Sequence, residues 1–304
     1  MNRKKILITG GTGFIGYHLA KKCLKLNWQV TSISTSKPKK VRKLKKVRYI
    51  ICDLSNQKKL NKIVKRNFDY VVNLAGHVDH SKKIKTIQSH YFGCKNLSLI
   101  FLKSKIKKFV QVGSSIEYGK INSPQHEYNF NNRRIFSTYG TAKLLSTKFL
   151  LNLYKQFNFP VTIFRLYLVY GPKQDVNRVI PITISNALKN FTFDCTDGSQ
   201  LRDFIYIDDV TNAILKALRK KLVEGEIINI GSGKPIKIKK IILKICRLLK
   251  KGNPQFGKLK LRRDEIKNLY PNIKKARKLL NWKPKINFEK GLLKTIRYYK
   301  NIKF

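Results

Sequence analysis

Residues 4–16 read KKILITGGTGFIG, a short apolar run followed at once by a glycine-rich turn. The run predicts a buried strand over Lys4–Thr9, and the apolar spacing that follows predicts a helix over Phe14–Leu26. A glycine pattern alone is weak evidence, but one wedged between a strand and a helix is typical of a dinucleotide-binding turn. This strand–turn–helix unit therefore predicts the fold of the first half of the chain.

The spacing of the glycines is the one that a bound pyrophosphate requires. Glycine lets the backbone turn tightly and approach the phosphates, and the helix N-terminus then presents free N–H groups and the positive end of its dipole. A merely tight strand–helix turn is the alternative interpretation. The predicted pyrophosphate-binding residues are Gly10, Gly13, Phe14, Ile15 and Gly16.

Further short apolar runs alternate with helical patterns, which indicates a parallel, doubly wound sheet. The runs of the first half are Gln29–Ile33, Val47–Cys52, Asp69–Leu74 and Phe109–Val112. Two later runs, Val161–Leu166 and Glu226–Ile230, are expected to rejoin the sheet. We therefore expect an α/β fold of the Rossmann type, with a dinucleotide-binding domain over 1–165 and mainly a smaller substrate-binding cap over 166–304.

The end of the second run bears on the choice between NAD and NADP. An acidic residue there would bind the ribose 2′-hydroxyl of NAD. This chain has Ser34 instead, with Lys37, Lys39 and Lys40 close behind it. A missing acid beside lysines favours NADP, although one more basic loop in a basic protein is the alternative.

The ends of the next two runs supply the other predicted cofactor contacts. Asp53, followed by Leu54, is placed either to accept a hydrogen bond from the adenine amino group or to cap a helix starting near Ser55. The small residues after the fourth run suit a loop that passes under a dinucleotide. Those small residues are Ala75 and Gly76, and Leu74 at the end of the run is also a predicted cofactor contact.

A tyrosine and a lysine four residues apart are the candidates for proton transfer. Tyr139 and Lys143 lie in a segment whose apolar residues predict a helix from Tyr139 to about Tyr154, so both project from one face. An ammonium close to a phenol lowers the pKa of the phenol toward working pH. Such a tyrosine can exchange the hydroxyl proton of a substrate while a cofactor moves the hydride.

Composition places further bounds on function. The chain carries 66 Lys and Arg against 16 Asp and Glu, which allows a polyanion as partner. The basic residues are spread along the whole chain, so a solvated surface is favoured over nucleic acid. The apolar runs are too short to span a membrane or to form an export signal. Five scattered cysteines without a Cys-x-x-Cys pair indicate reduced thiols in a cytoplasmic protein and no metal site.

With these motifs in order, the chain resembles an extended short-chain dehydrogenase/reductase, of the NAD(P)-dependent nucleotide-sugar epimerase/dehydratase family. The resemblance runs nearly from end to end. The residues that carry it are Thr9–Gly16, Asp53-Leu54, Asn73–Gly76, Gly113–Gly119, Tyr139–Lys143, Arg165–Pro172, Arg202–Val210, Asn229–Gly233 and Leu279–Pro284.

The resemblance implies roles for particular residues. Tyr139 would be the acid/base, Lys143 would tune it and hold the nicotinamide ribose, and Ser114 would assist the proton transfer. Arg202 and Arg262 would grip the nucleotide diphosphate, since planar guanidiniums suit a diphosphate. Ser115, next to Ser114, is a predicted substrate contact.

Departures from the family pattern narrow the reaction. The dehydratases of the family place an Asp-Glu pair where this chain has Ser115 and Ile116, and isoleucine cannot act as a base. The glutamate of the sugar-acid decarboxylases is absent from the second position too, and Glu117, one place further on, is given no role. His90 and Leu168 stand where asparagines are usual.

The sequence thus predicts a hydride-transfer enzyme, an oxidoreductase or isomerase, that acts at C4 of a nucleotide-linked hexose. A 4-epimerase with tightly held NAD and a 4-keto-reductase that consumes NADPH both remain open. The resemblance also implies a homodimer built through the helices around His90 and Tyr139. The alternative is a non-catalytic Rossmann-fold protein that binds nucleic acid through its basic surface.

Overall fold

The computed structural model of the chain describes residues 3–77, 79, 81–129, 135, 137–261 and 265–302. The strands are β1 Lys5–Thr9, β2 Gln29–Ser34, β3 Val47–Ile51, β4 Tyr70–Asn73, β5 Lys108–Ser114, β6 Val161–Leu166, β7 Leu168–Tyr170, β8 Thr192–Asp194, β9 Leu201–Tyr206, β10 Glu226–Ile230, β11 Pro235–Lys237, β12 Asn253–Gln255 and β13 Asn268–Leu269. The helices are α1 Phe14–Lys25, α2 Gln57–Ile63, α3 Lys83–Ile87, α4 Gly93–Leu102, α5 Thr138–Phe157, α6 Val179–Leu188, α7 Ile207–Ala217, α8 Ile238–Leu249, α9 Lys274–Leu280 and α10 Phe288–Lys300.

The main sheet contains seven parallel strands in the order β3-β2-β1-β4-β5-β6-β10. The order reverses direction at β1, so the carboxyl ends of β1 and β4 flank a crevice in which such folds bind ligands. The strands at 161–166 and 226–230 both lie in this sheet: β6 pairs with β5, and β10 pairs with β6 at the edge. The predicted Rossmann-type α/β fold is confirmed.

Each face of the sheet is covered by helices because its strands are apolar on both sides. Ile6 and Ile8 of β1 belong to a core with α1 and α7, whereas Leu7 between them belongs to a second core with α4 and α5. The alternation of side chains along a strand thus divides one apolar run between two cores.

The second half of the chain adds a smaller sheet around β9. That strand pairs with β7 in parallel along its second half and with β11 and β13 along its first half. A third core, between α6, α8 and α10, packs beside it. Among the described residues, we find no helix with the length and apolarity needed to cross a bilayer.

Two short turns position the residues considered below. A π-helical turn at Gln88–Phe92 joins α3 to α4. A 3₁₀ turn at Ser115–Tyr118 follows β5, and the Ser114 side chain caps it. π-Helical turns between helical segments, such as Gln88–Phe92, are frequent at functional sites.

Candidate active site

The glycine turn leaves no room for side chains. Gly10 has a φ of +68°, and its N–H donates to Ile33 O at 2.7 Å. A Cβ on Gly16 would lie 2.3 Å from Gly10 O, and one on Gly10 would lie 2.9 Å from the Leu74 backbone. The chain therefore needs glycine here to bring β1, α1 and the end of β4 together.

The N-terminus of α1 opens onto the carboxyl edge of the sheet. Gly13 is its N-cap and has no side chain to satisfy the first N–H groups of the helix. Those groups and the positive end of the helix dipole suit an anion. The backbone at Phe14, Ile15 and Gly16 thus fits the pyrophosphate of a dinucleotide, as the sequence predicted for these positions.

The end of β2 is tied to this turn. Ser34 is buried, and its Oγ accepts a hydrogen bond from Thr12 N at 3.4 Å. Of the lysines behind it, Lys39 forms an ion pair with Asp175 (3.3 Å), which also pairs with Arg42 at 2.9 Å. Burial alone would raise the pKa of Asp175, but the charges and hydrogen bonds of Arg42 and Lys39 lower it.

Asp53 is exposed and does not cap α2. Its Oδ1 accepts hydrogen bonds from the N–H and the hydroxyl of Ser55, both at 2.8 Å. The cap of α2 is Asn56, whose Oδ1 accepts from Lys59 N at 3.0 Å. Of the two interpretations of Asp53, the helix cap is wrong, and a contact with adenine stays a prediction. Leu54, by contrast, is buried beneath α4.

The loop after β4 is held close to β1. Leu74 N donates to Thr9 O at 3.2 Å, and Ala75 N donates to Thr9 Oγ1 at 3.3 Å. The next residue, Gly76, faces the His90 ring so closely that a Cβ would lie 1.8 Å from His90 Cε1. This loop therefore runs between the glycine turn and the π-helical turn, and its passage under a dinucleotide stays a prediction.

The structure brings Ser114 and Tyr139 into contact. The Ser114 side chain, at the carboxyl end of β5, hydrogen-bonds to the Tyr139 phenol at the start of α5. Part of the Tyr139 ring remains accessible, but burial of the phenol raises its pKa to about 12, against the opposing effect of the Ser114 hydrogen bond. A serine and a tyrosine so placed can pass a proton to and from one oxygen of a ligand.

Lys143 lies on the same face of α5 but its cation is directed into the sheet. Lys143 Nζ donates to Val112 O at 2.7 Å, and burial lowers the pKa of its ammonium. The expectation that Lys143 lowers the pKa of Tyr139 is wrong for this arrangement, because burial of the phenol dominates and raises that pKa. A backbone carbonyl holds the ammonium one helical turn away from the phenol.

Two charged residues near Tyr139 were not assigned from the sequence. The exposed Arg178, just before α6, lowers the pKa of Tyr139 through its positive charge, and the buried Glu117 raises it. Neither residue is close to Tyr139 along the chain. Local sequence pattern therefore could not identify them, and only information about which distant positions are in contact could have done so.

The three predicted substrate contacts differ in their relation to this group. Arg202 is buried on β9, where it pairs with Glu265 and donates to Leu201 O at 2.8 Å and Lys267 O at 3.2 Å. Ser115 is buried in the 3₁₀ turn beside Ser114. Arg262 lies outside the described residues.

Known proteins resemble this chain over its whole length. The NAD dependent epimerase/dehydratase family matches residues 6–231. A UDP-N-acetyl-alpha-D-glucosaminuronate decarboxylase of Bacillus cytotoxicus is 30% identical, with 99% of each chain covered. A UDP-glucuronate 4-epimerase of Thermodesulfobacterium geofontis is 29% identical, with 97% of this chain and 95% of that protein covered.

Solved structures agree with the fold. UDP-glucose 4-epimerase of Thermotoga maritima, solved with UDP-glucose, superposes with a TM-score of 0.91 at 24% identity, covering 97% of this chain and 98% of that one. A variant of UDP-glucuronic acid 4-epimerase from Bacillus cereus, solved with UDP-4-deoxy-4-fluoro-glucuronic acid and NAD, has a TM-score of 0.88 at 29% identity, covering 97% and 99%. The glycine turn, the Ser114–Tyr139 contact and the family match lead to one conclusion: the chain belongs to the NAD-dependent epimerase/dehydratase family of enzymes.

Proposed function

We propose that the protein is a nucleotide-sugar 4-epimerase, which removes hydride from C4 of a nucleotide-linked hexose and returns it to the opposite face. The observation that carries the proposal is the hydrogen bond between Ser114 and Tyr139 at the carboxyl edge of the sheet. A phenol at this edge supports the proposal, because such folds bind dinucleotides at the carboxyl edge of the sheet.

The residues of the chain would handle the proton, and bound NAD would supply reversible hydride acceptance. The Tyr139 phenolate accepts the proton of the C4 hydroxyl as that carbon is oxidised, and the Tyr139 hydroxyl returns it when the ketone is reduced. Ser114 donates to the reacting oxygen and keeps it near the phenol. Lys143, fixed by Val112 O, would hold the nicotinamide ribose.

The residues after Ser114 support epimerisation over elimination or decarboxylation. Those reactions of the family use acidic residues at the two positions that Ser115 and Ile116 occupy here. Ile116 directs an apolar side chain at the start of α5, where its Cγ2 would lie 2.7 Å from a Cβ on Gly140. An isoleucine packed beside Tyr139 supplies no second base, so the sugar would keep all of its carbons and oxygens.

The substrate end of the proposal depends on Arg202. Its guanidinium, now paired with Glu265, would exchange that carboxylate for a diphosphate, because both are anions that can accept two parallel hydrogen bonds from its N–H groups. Arg262 is proposed as the second guanidinium. Relatives act on UDP-glucose and UDP-glucuronate, and we propose a uridine nucleotide for this chain as well.

A 4-keto-reductase that uses NADPH is the second candidate. The end of β2 favours it: Ser34 stands in place of an acid, and Lys37 and Lys40 are exposed beside it. Lys39 is less suited to a 2′-phosphate because Asp175 already pairs with it. The two functions differ in whether the nicotinamide is consumed.

The experiment is to incubate the protein with UDP-glucose or UDP-glucuronate and NAD, and to analyse the sugar for C4 inversion while following nicotinamide absorbance. Inversion with no net absorbance change supports the epimerase. Net loss of NADPH absorbance with a 4-keto sugar would favour the reductase instead. Binding of RNA in a salt-dependent way, with no binding of either cofactor, would contradict both.

We also propose that the enzyme is a cytoplasmic homodimer. Apolar side chains are exposed on and beside α4 and α5, where one expects solvated polar residues: Phe92 is 45% exposed, Leu99 36% and Leu145 40%. A second copy of the chain would bury this surface. Sedimentation of the wild type and of Leu145→Glu measures whether each protein is a monomer or a dimer. A wild-type dimer that the new charge dissociates supports the proposal, and a monomeric wild type contradicts it.

A further inference from the structure

Glu117 is a carboxylate with no accessible surface in the 3₁₀ turn after β5. A charge removed from water is costly unless hydrogen bonds and an opposite charge compensate it. The contacts that compensate Glu117 connect three separate elements of the main domain.

Each carboxylate oxygen holds a different part of the site. Glu117 Oε1 accepts from Ser114 N at 2.7 Å, at the end of β5. Glu117 Oε2 accepts from Thr147 Oγ1 of α5 at 2.7 Å and from Arg165 Nε of β6 at 3.2 Å. A Cβ on Gly113 would lie 2.2 Å from Oε1, so glycine is needed beside this carboxylate.

Thr147 connects Glu117 to the helix that carries Tyr139. Tyr139, Lys143 and Thr147 follow one another at four-residue intervals, so they lie along one face of the helix. Glu117 therefore accepts a hydrogen bond from Thr147, which lies on the same helix face as Tyr139. The same carboxylate accepts a hydrogen bond from the backbone N–H of Ser114, and the side chain of Ser114 hydrogen-bonds to Tyr139.

We propose that Glu117 is a positioning residue of the active site, which holds Ser114 and helix α5 to one carboxylate and so sets the Ser114–Tyr139 hydrogen bond. The inference rests on the proposed role of Tyr139 in proton exchange. Glu117 itself touches neither substrate nor cofactor; it acts through Ser114 and Thr147.

The charge of Glu117 gives the proposal a second, measurable consequence. Burial is the largest cause that raises the pKa of Tyr139, and the negative charge of Glu117 raises it further. Among the residues that the structure describes, the other groups facing this site are Arg178 before α6, Lys143 on α5 and the His90 ring on the π-helical turn, with Cys94 of α4 facing Lys143. Loss of the Glu117 charge should therefore lower the pKa of Tyr139, which a purely mechanical anchor would not do.

The first test is the titration of Tyr139 in Glu117→Gln, which keeps an oxygen acceptor for Ser114 N but no charge. The protein is labelled with ¹³Cζ-tyrosine, and Tyr139 is assigned by the resonance lost in Tyr139→Phe. We expect Glu117→Gln to ionise at lower pH than wild type, over the alkaline range in which circular dichroism shows the fold to persist. An unchanged titration of Tyr139 would overturn the inference.

A matched control lies at the other end of β5. Lys108, with 1% of its side chain exposed, pairs with Glu224 at 2.6 Å. Glu224→Gln breaks an ion pair on the same strand far from the glycine turn, so it should reduce stability and leave the Tyr139 titration unchanged. A shift of equal size in both variants would overturn the specific role of Glu117.

The second test keeps the buried ion pair intact, because Glu117→Gln removes the carboxylate that pairs with the buried Arg165 and can unfold the chain. Thr147→Val removes only the hydroxyl that α5 offers to Glu117, and Thr147→Ser retains it. We expect Thr147→Val to lower kcat about tenfold with KM unchanged and to shift the Tyr139 resonance, with Thr147→Ser close to wild type. Equal behaviour of the two Thr147 variants would overturn the inference.

The two measurements separate this inference from the proposed function. The resonance of Tyr139 needs no substrate, so a wild type that turns over no nucleotide sugar refutes the proposed function and leaves the titration decisive for Glu117. A wild type that is active, with kcat and the Tyr139 resonance indifferent to Glu117 and Thr147, refutes the inference alone.

Discussion

The ring of His90 meets the ring of Tyr139 edge to face, with centroids 4.9 Å apart and planes at 73°. The His90 ring also lies against Gly76, and its Nε2 is 3.1 Å from His77 O. His90 therefore fills the space between the loop after β4 and the phenol. An asparagine at this position would leave both neighbours without that support.

The contact between His90 and Gly76 predicts a non-additive pair of variants. Gly76→Ala should destabilise the fold by about 1–3 kcal/mol, because the new methyl group collides with a buried ring. In the double variant with His90→Ala the collision is removed, so the combined loss should fall short of the sum by about 1 kcal/mol or more. Urea unfolding of the four proteins measures this, and strict additivity would show that the ring does not confine Gly76.

Removal of the Tyr139 hydroxyl should separate catalysis from cofactor binding. We expect Tyr139→Phe to lower turnover by about 10²–10⁴-fold, the usual contribution of a proton-transfer group. The affinity for NAD should change little, since the glycine turn provides the pyrophosphate site. The measurements are steady-state turnover and calorimetric NAD binding.

Tyr118→Phe is the matched control for that variant. The Tyr118 hydroxyl is buried four residues after Ser114 and donates to Asn229 Oδ1 at 2.7 Å. Its loss should cost about 1 kcal/mol of stability and leave turnover intact. Wild-type turnover in Tyr139→Phe would remove Tyr139 from the mechanism.

The charge of Arg178 should be visible in the pH dependence of turnover. Burial raises the pKa of Tyr139 to about 12, and the cation of Arg178 opposes this. Arg178→Ala should therefore raise that pKa and reduce the fraction of Tyr139 ionised at any pH below it. The acid limb of the kcat/KM profile for carbinol oxidation moves to higher pH, whereas Arg178→Lys retains the wild-type limb.

Salt provides an independent check on the same effect. Because Arg178 is exposed, screening by added salt should move the wild-type profile toward that of Arg178→Ala. The Ala variant itself should respond much less. A wild-type profile that is independent of both the charge and the salt would contradict the electrostatic role of Arg178.

An acid at the end of β2 should change the preference between the two cofactors. Ser34→Asp supplies a carboxylate for the ribose 2′-hydroxyl and repels a 2′-phosphate, so we expect the ratio of NAD to NADP affinity to rise about tenfold or more. Fluorescence titration with NADH and NADPH gives both constants. Thr35→Asp, one residue further into the exposed loop, should change the ratio less, and an equal change would argue against contact at Ser34.

Local pattern was sufficient to predict the seven strands of the main sheet. The strands predicted at 161–166 and 226–230 have the observed bounds, and the helix predicted over Phe14–Leu26 ends one residue earlier. The helix around Tyr139 begins one residue before the predicted start and extends to Phe157. Apolar periodicity indicates which side of a helix or strand is buried. The residues that form such a pattern lie close together in the sequence, so the pattern can be recognised without knowing the fold.

The partners of the charged groups in the site could not be predicted from local pattern. A spacing of four residues places Tyr139 and Lys143 on one face, yet Lys143 Nζ binds Val112 O, 31 residues away along the chain. Glu117 is likewise paired with Arg165, 48 residues away. Which partner a charged group finds depends on the strands and helices that packing brings beside it.

The sequence by itself therefore determined the glycine turn, the strands of the main sheet that follow it, the position of Ser114 at the carboxyl edge of that sheet, and the helix that carries Tyr139. Only the tertiary structure decided that burial raises the pKa of Tyr139, that Lys143 is held by a strand carbonyl, and that Glu117 joins β5 to α5. The physical reason is that backbone pattern is a local property, whereas desolvation and pairing of charges are set by neighbours far apart in the chain.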